Sequence, residues 1–485
     1  MTMMKRILSA TFAALMLLPL VSCATANDPN ETSANNKQTE AVSEGESEFF
    51  PPIEKKDYDG ADFRMIGWTE AGDWYYAEEY ESTEKDKTSI LNNTLYEMNT
   101  LVEEYLNVEI SYETVPINDG HMVFNTVFPT IMSGDDTYQL CTMDAYYDNI
   151  NFITKNCALD LYELEALDFD QFYWNRNVTE MLTISDKAYL GLSDLCKMRF
   201  FSIYCNKDML TDAGRKMPYD EVRNGEWTLD RLAAMTTDLY QDNGDGLRNG
   251  EDIYGFSSSW DCNGAAFLQA SNIFVATKND DDTYELCLFS DRLVEMYEKL
   301  YTWSKDESVH LWNVHGPDFT SDFKEGETYM MTADLGTDYL DTDFEVGILP
   351  FPKYDVKQEN YAHVNWGNNL LVPNTVRNKD MVGEVIELMS FYSGTLVLNK
   401  YYDEVLQLRV SEAPDDRDMV ELIYDTVAFD PGIAFCDGNT PLWNLVYITC
   451  FCIREDNANI ASYYQSNYRA ANKWLGNLLK KQRPN

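Results

Sequence analysis

Along most of the chain apolar residues either alternate with polar ones or recur every three to four positions, and these two periods mark out the elements. Asp62 to Trp68 reads as a short strand, and Ile90, Leu91, Leu95, Met98, Leu101, Val102 and Leu106 fall at helical spacing. Val108 to Val115 alternates as a strand, Val123 to Met132 predicts a second helix, and Tyr138 to Met143 a third strand. Strand, helix, strand, helix, strand is the order of a mostly parallel sheet with helices on its faces. Such sheets bind ligands at the carboxyl ends of their strands.

The second half repeats this style without a detectable sequence repeat. Phe200 to Tyr204 reads as a buried strand, Trp227 to Leu239 as an amphipathic helix opened by Thr228, and Val346 to Leu349 as a strand stopped by Pro350. After the loop at Pro373-Asn374, Met381 to Tyr392 is a strongly amphipathic helix. The pattern predicts two α/β lobes.

The first 54 residues differ. Lys5 and Arg6 precede an apolar run from Ile7 to Leu20 that ends in Leu20-Val21-Ser22-Cys23. The run has the length and flanks of an export signal rather than of a spanning helix. It resembles a bacterial lipoprotein signal, which implies cleavage before Cys23 and a diacylglycerol on its thiol. Residues 24–54 are rich in Asn, Ser, Thr, Glu and Ala, hold almost no large apolar residue before Phe49, and end at Pro51-Pro52. That composition predicts a disordered tether.

Removing residues 1–22 takes Lys5 and Arg6 from a chain of net charge −45 and takes no acid, which leaves −47. So negative a surface repels nucleic acid and anionic head groups, so neither is an expected partner. About 460 residues after Cys23 suffice for two or three lobes with full cores. Nine further cysteines, among them Cys141, Cys157, Cys196, Cys205 and Cys262, are scattered and odd in number, which does not make a disulfide framework. Cys450 and Cys452 lie in an apolar stretch without zinc-site companions.

Phe201-Ser202-Ile203-Tyr204-Cys205-Asn206-Lys207-Asp208-Met209-Leu210 resembles the entry into the second lobe of extracellular solute-binding proteins of the maltose-binding-like family. Four more segments follow in that family's order: Glu226-Trp227-Thr228, Asp252-Ile253-Tyr254-Gly255-Phe256, Phe323 to Met331 around Gly326-Glu327-Thr328, and Ile348-Leu349-Pro350-Phe351-Pro352. The resemblance covers roughly residues 58 to 450. It implies a periplasmic-binding-protein-like (type II) α/β fold whose two lobes close over a solute. It also implies delivery to the permease subunits of an ABC importer, by a monomer held at the extracellular face of the cytoplasmic membrane. The expected division is 55–197 with 326–394 for lobe I and 198–325 with 395–485 for lobe II, the chain crossing near 197, 325 and 395.

A neutral sugar or oligosaccharide needs flat rings to stack on and carboxylates or amides for its hydroxyls. Trp68, Thr69 and Glu70 follow the first strand, and Asp144, Tyr146 and Tyr147 the third. Trp260 and Asp261 match the region where the family places a second-lobe aromatic, and Trp443 falls where a late aromatic lines the cleft. After Gly326-Glu327-Thr328, sugar-binding relatives often carry a stacking tryptophan; here the stretch is Thr332-Ala333-Asp334-Leu335-Gly336, and Asp334 would accept hydroxyl or cationic groups instead. Trp366, Asn368 and Asn369 lie in a loop that either supplies further contacts or is surface.

Gln241 to Asp252 resembles a twelve-residue calcium loop, with Asn243, Asp245, Leu247, Asn249 and Asp252 at ligand positions and Gly246 at the sharp turn. Gln241 replaces the usual first acid, so a plain Asx/Gly turn competes with a structural calcium ion. Catalysis finds no footing. The four histidines, His121, His310, His315 and His363, have no metal-ligand spacing, and His310 and His315 read as a surface loop around Trp312. There is no Gly-x-Ser-x-Gly elbow, phosphate loop or dinucleotide fingerprint. The expectation is a carbohydrate-binding protein that is not an enzyme and needs no cofactor; the alternative is a surface glycan hydrolase or an adhesin. Cys23→Ala is expected to release the protein into the medium, read by fractionating membranes from culture supernatant; unchanged membrane retention would count against lipidation.

Overall fold

The computed structural model describes residues 50–69, 90–116, 122–144, 147–196, 198–258, 261–311, 323–335, 342–400 and 413–482. Those from Pro52 onward belong to one unit. Strands β1 (Ala61–Thr69), β2 (Val108–Pro116) and β3 (Leu140–Asp144) are parallel, with β1 central and in register from Ala61 opposite Val108 to Thr69 opposite Pro116. Helix Ile90–Leu106 joins β1 to β2 in sequence, and its buried Leu95, Met98, Val102 and Leu106 recur at helical spacing.

The second lobe begins with β4 (Phe201–Asn206) and β5 (Tyr254–Ser258). A hairpin of β6 (Ala276–Lys278) and β7 (Tyr284–Leu286) follows, then β8 (Val309–Leu311), β9 (Thr328–Asp334) and β10 (Val346–Leu349). The sheet order is β10-β4-β9-β5-β8. Strand β4 runs against β9 and β10, while β9, β5 and β8 are parallel. The chain then passes through β11 (His363–Val364) to β12 (Asn368–Leu371), which closes the first sheet antiparallel to β3. Strand β11 pairs with β13 (Val427–Ala428).

Two expectations are corrected. Residues 326–349 were assigned to lobe I, but β9 and β10 hydrogen-bond into the second sheet, so the chain returns to the first only between β11 and β12. His310 is not on a surface loop: it is fully buried in β8, its ring stacked 4.6 Å from that of Tyr254. Eight cysteines of the described residues are free, and all of them except Cys287 are buried.

The Asn-Lys-Asp segment has a physical reason. Asn206 caps helix Lys207–Asp212 by accepting the Met209 N–H (3.0 Å). Lys207 Nζ donates to Asp416 Oδ2 (2.7 Å), a fully buried carboxylate on helix Pro414–Asp425 that also accepts the Tyr219 hydroxyl and the Ile348 N–H. The pair fastens the carboxyl-terminal region to the second sheet. In the first lobe, helix Lys379–Tyr392 is held by its buried Glu387, which accepts Tyr173 Oη (2.6 Å), Trp174 Nε1 (2.8 Å) and the Asp168 N–H (3.3 Å). With its extension to Lys400 this helix is apolar and long enough to cross a membrane, yet it is mostly buried in the protein.

Where the chain passes between the sheets, the buried His363 accepts the Phe351 N–H at Nε2 (3.2 Å). Its Nδ1 lies 2.8 Å from Thr426 Oγ1, whose own hydrogen goes to the Leu422 carbonyl, so Nδ1 carries the proton and the ring is neutral. Burial pushes the imidazole down from 6.5 to about 3. A depressed folded-state pKa gives stability that is present above pH 6.5 and is lost as pH falls toward 3, about 5 kcal/mol over the full range. His363→Gln keeps an acceptor without a basic nitrogen. Urea unfolding at pH 7.5 and 4.5 is expected to show the wild type losing roughly 2–3 kcal/mol more than this variant.

Candidate functional site

The ladders set which ends of the strands meet. In the first sheet the carboxyl ends of β1, β2 and β3 share an edge with the amino end of β12, where Asp144 lies opposite Asn368. In the second, the carboxyl ends of β5, β8, β9 and β10 share an edge with the amino end of β4, where Phe201 lies opposite Asp334. Arg199, two residues before β4, reaches both edges.

Its guanidinium forks onto Asp334, with Nε 3.1 Å from Oδ1 and Nη2 2.9 Å from Oδ2. Its Nη1 lies 3.8 Å from Asp144 Oδ2, and the Phe201 ring lies 5.5 Å from the guanidinium carbon. Arg199 is 10 %, Asp334 18 % and Asp144 3 % exposed at the side chain, so these charges sit largely out of water. The Arg199 N–H donates to Asn365 Oδ1 (3.0 Å), and its carbonyl accepts the Trp366 N–H (2.9 Å), which ties the two crossing segments together.

A run of rings continues from this point. Trp366 is fully buried, 5.9 Å from Phe201 and 6.3 Å from Tyr447. Tyr447 lies 4.4 Å from the half-buried Trp443, and Trp443 lies 6.2 Å from the half-buried Tyr147, just beyond β3 of the first lobe. Next to them Asn151 Nδ2 donates to Asp437 Oδ2 (2.8 Å). Planar faces beside buried carboxylates and amides suit a ligand with hydroxyls and C–H faces.

Of the residues named from sequence, Asp144, Asp334, Trp366 and Trp443 are thus brought to one region, with Tyr147. Asp334 is already held by Arg199, so the acceptor expected there is engaged within the protein. Trp366, Asn368 and Asn369 are buried rather than on a surface loop, and both asparagines belong to β12. Asp261 opens helix Asp261–Ala270. Glu70, Tyr146, Trp260, Cys23 and the side chain of Trp68 lie outside the described residues. Sequence reasoning missed Arg199, Phe201 as a site ring, and Tyr447. The signal for Arg199 was a cation directly before Phe200-Phe201, two residues after Lys197, in a chain with 37 basic and 82 acidic residues.

The calcium-like loop lies at the base of β5. Carboxylate oxygens of Asp242, Asp245 and Asp252 lie within 4.8 Å of one another. Asp252 is fully buried; burial pushes its carboxyl up, but the N–H groups of Asn243 and Asn249 and the Tyr240 hydroxyl outweigh that and hold it below the usual range. Asp242, which the register omitted, accepts the Gly244 (2.6 Å) and Gly246 (3.2 Å) N–H groups, and Asn243 accepts that of Asp245 (3.0 Å). Leu247 is exposed and its N–H goes to Asp245, while Asn249 accepts the Glu251 N–H. The oxygen-rich donor set fits a hard divalent cation.

No protein-family model and no curated protein matches this chain. Solved structures do. An ABC substrate-binding protein from Listeria monocytogenes in complex with cycloalternan is 16 % identical over 86 % of this chain and all of its own, with a TM-score of 0.57. The GacH receptor of Streptomyces glaucescens, solved unliganded and with acarbose, is 15 % identical over 85 % of this chain and 99 % of its own, also at 0.57. The sugar-binding protein MalE from Xanthomonas citri is 12 % identical over 87 % and 100 %, at 0.57. The chain therefore has the two-lobe α/β fold of these binding proteins.

Proposed function

We propose that this chain is an extracytoplasmic solute-binding protein that captures a carbohydrate between its lobes and delivers it to an ABC importer. It is a binding protein rather than an enzyme, and a lipid at Cys23 keeps it at the membrane. The observation that carries this reading is the meeting of two strand edges at Asp144, Arg199 and Asp334 beside the run of rings from Phe201 to Tyr147. Support also comes from structures of the same fold described in complex with cycloalternan and with acarbose.

Calorimetry of the purified protein against mono- and oligosaccharides is expected to give heat with at least one sugar. Trp443→Ala should weaken that binding about tenfold through loss of a stacking face. Heat with peptides or polyamines and none with any sugar would sink the carbohydrate assignment and leave transport standing.

The same reading gives the loop a bracing calcium ion, held by Asp242, Asp245 and Asp252 with Asn243, Asn249 and the Leu247 carbonyl in support. Arg248 couples the loop to the lobe by donating to the Val309 (2.6 Å) and Asp306 (3.1 Å) carbonyls. Calcium is expected to raise the melting temperature over that in EGTA, and Asp245→Ala to abolish the increment. An identical melting temperature in both conditions would show that the loop is a plain turn.

A further inference from the structure

The cation at the meeting of the two edges has a task that the sugar-binding reading does not assign. We propose that Arg199 is the latch of the cleft: its guanidinium, carried by the second lobe, draws the Asp144 carboxylate of the first toward it and favours the closed arrangement. The proposal rests on the interlobe space being a ligand cleft.

Arg199 travels with the second lobe, because the next residue, Phe200, accepts the Leu335 N–H (2.7 Å) and Asp334 takes two hydrogen bonds from the guanidinium. Rotation of the lobes leaves that forked pair intact. Of the contacts made by the guanidinium, the one that rotation changes is that from Nη1 to Asp144, which at 3.8 Å is too long for a hydrogen bond and well within electrostatic range. Asp144 is fixed on the other sheet by its ladder partner Asn368, and its carbonyl accepts Asn149 Nδ2 (3.2 Å). The Phe201 ring at the guanidinium and the buried Trp366 ring beyond it keep water away, which lowers the local dielectric.

The charges on either side give the cation its weight in closure. Without it, Asp144 and Asp334 would bring two carboxylates from opposite lobes toward one poorly solvated place, where like charges repel. Closure would then have to overcome that repulsion, and a ligand that binds the closed form would see its apparent affinity fall with the closed population.

Small-angle scattering of the ligand-free full-length mature protein tests this without knowledge of the sugar. Arg199→Met and Asp144→Asn are each expected to raise the radius of gyration, on the order of 1 Å for a hinge opening. Arg199→Lys, which keeps the charge and loses the fork, should fall between them and the wild type. A radius unchanged in both Arg199→Met and Asp144→Asn overturns the latch, including the case in which only the melting temperature falls. Should Arg199→Met fail to fold, Asp144→Asn decides, since it retains the Arg199–Asp334 pair. Failure of the carbohydrate reading is seen separately, as absence of heat with every sugar while the radii still respond.

Discussion

Three charges on two lobes, Asp144, Arg199 and Asp334, set the terms on which the two sheets can meet. Each sheet ends in a carboxylate at the edge that faces the other, and both carboxylates are mostly buried. A buried anion has to find a compensating cation or take up a proton. One arginine forks onto Asp334 and brings its remaining nitrogen within 3.8 Å of Asp144, and its backbone is stitched to Asn365 and Trp366 on the returning strand segment. The crossing is therefore held by hydrogen bonds along the chain and by charge across it.

Elements with strong local periodicity were legible in the sequence. Helix Ile90–Leu106 and strand Val346–Leu349 lie where the apolar spacing puts them, because a stripe on one face or a short apolar run stopped by proline has few other solutions. Sheet membership was not legible. Thr328 to Asp334 reads as a strand whichever lobe it joins, and only hydrogen bonds to Phe201–Cys205, well over a hundred residues away, decide the matter. The same non-locality hid the site: Trp366 looked like a loop residue because its neighbours Asn365, Gly367, Asn368 and Asn369 are polar, yet each asparagine has a partner strand or crossing segment that accounts for its burial.

A second set of bonds near the crossing shows how tightly the lobes are tied on one side. Lys278 and Tyr284 of the β6–β7 hairpin reach the carbonyls of Glu180, Met181 and Thr183 on the first lobe, and Asp282 accepts the Asp186 N–H. The buried Asp430 accepts the N–H groups of Val275 and Ala276 and so fixes the hairpin's first strand to the carboxyl-terminal region. Bonds this dense on one flank, with rings and ion pairs at the strand edges, favour rotation of the lobes over their separation.

Net charge contributes little to what such a cleft can recognise. At about 0.1 M salt, surface charge is screened over about 10 Å, so most of the acidic residues counted in the sequence do not act on a ligand between the lobes. Inside, the single charge of Arg199 is engaged by the fork onto Asp334 and only approaches Asp144 at 3.8 Å, so one cation stands against two carboxylates beside the rings. Tyr147 and Trp443 are the half-buried members of the run of rings, whereas Trp366 and Tyr447 are closed off behind them. On the proposed carbohydrate-binding reading the first pair would meet the ligand and the second would hold that pair rigid, so that packing behind the site fixes the geometry in front of it.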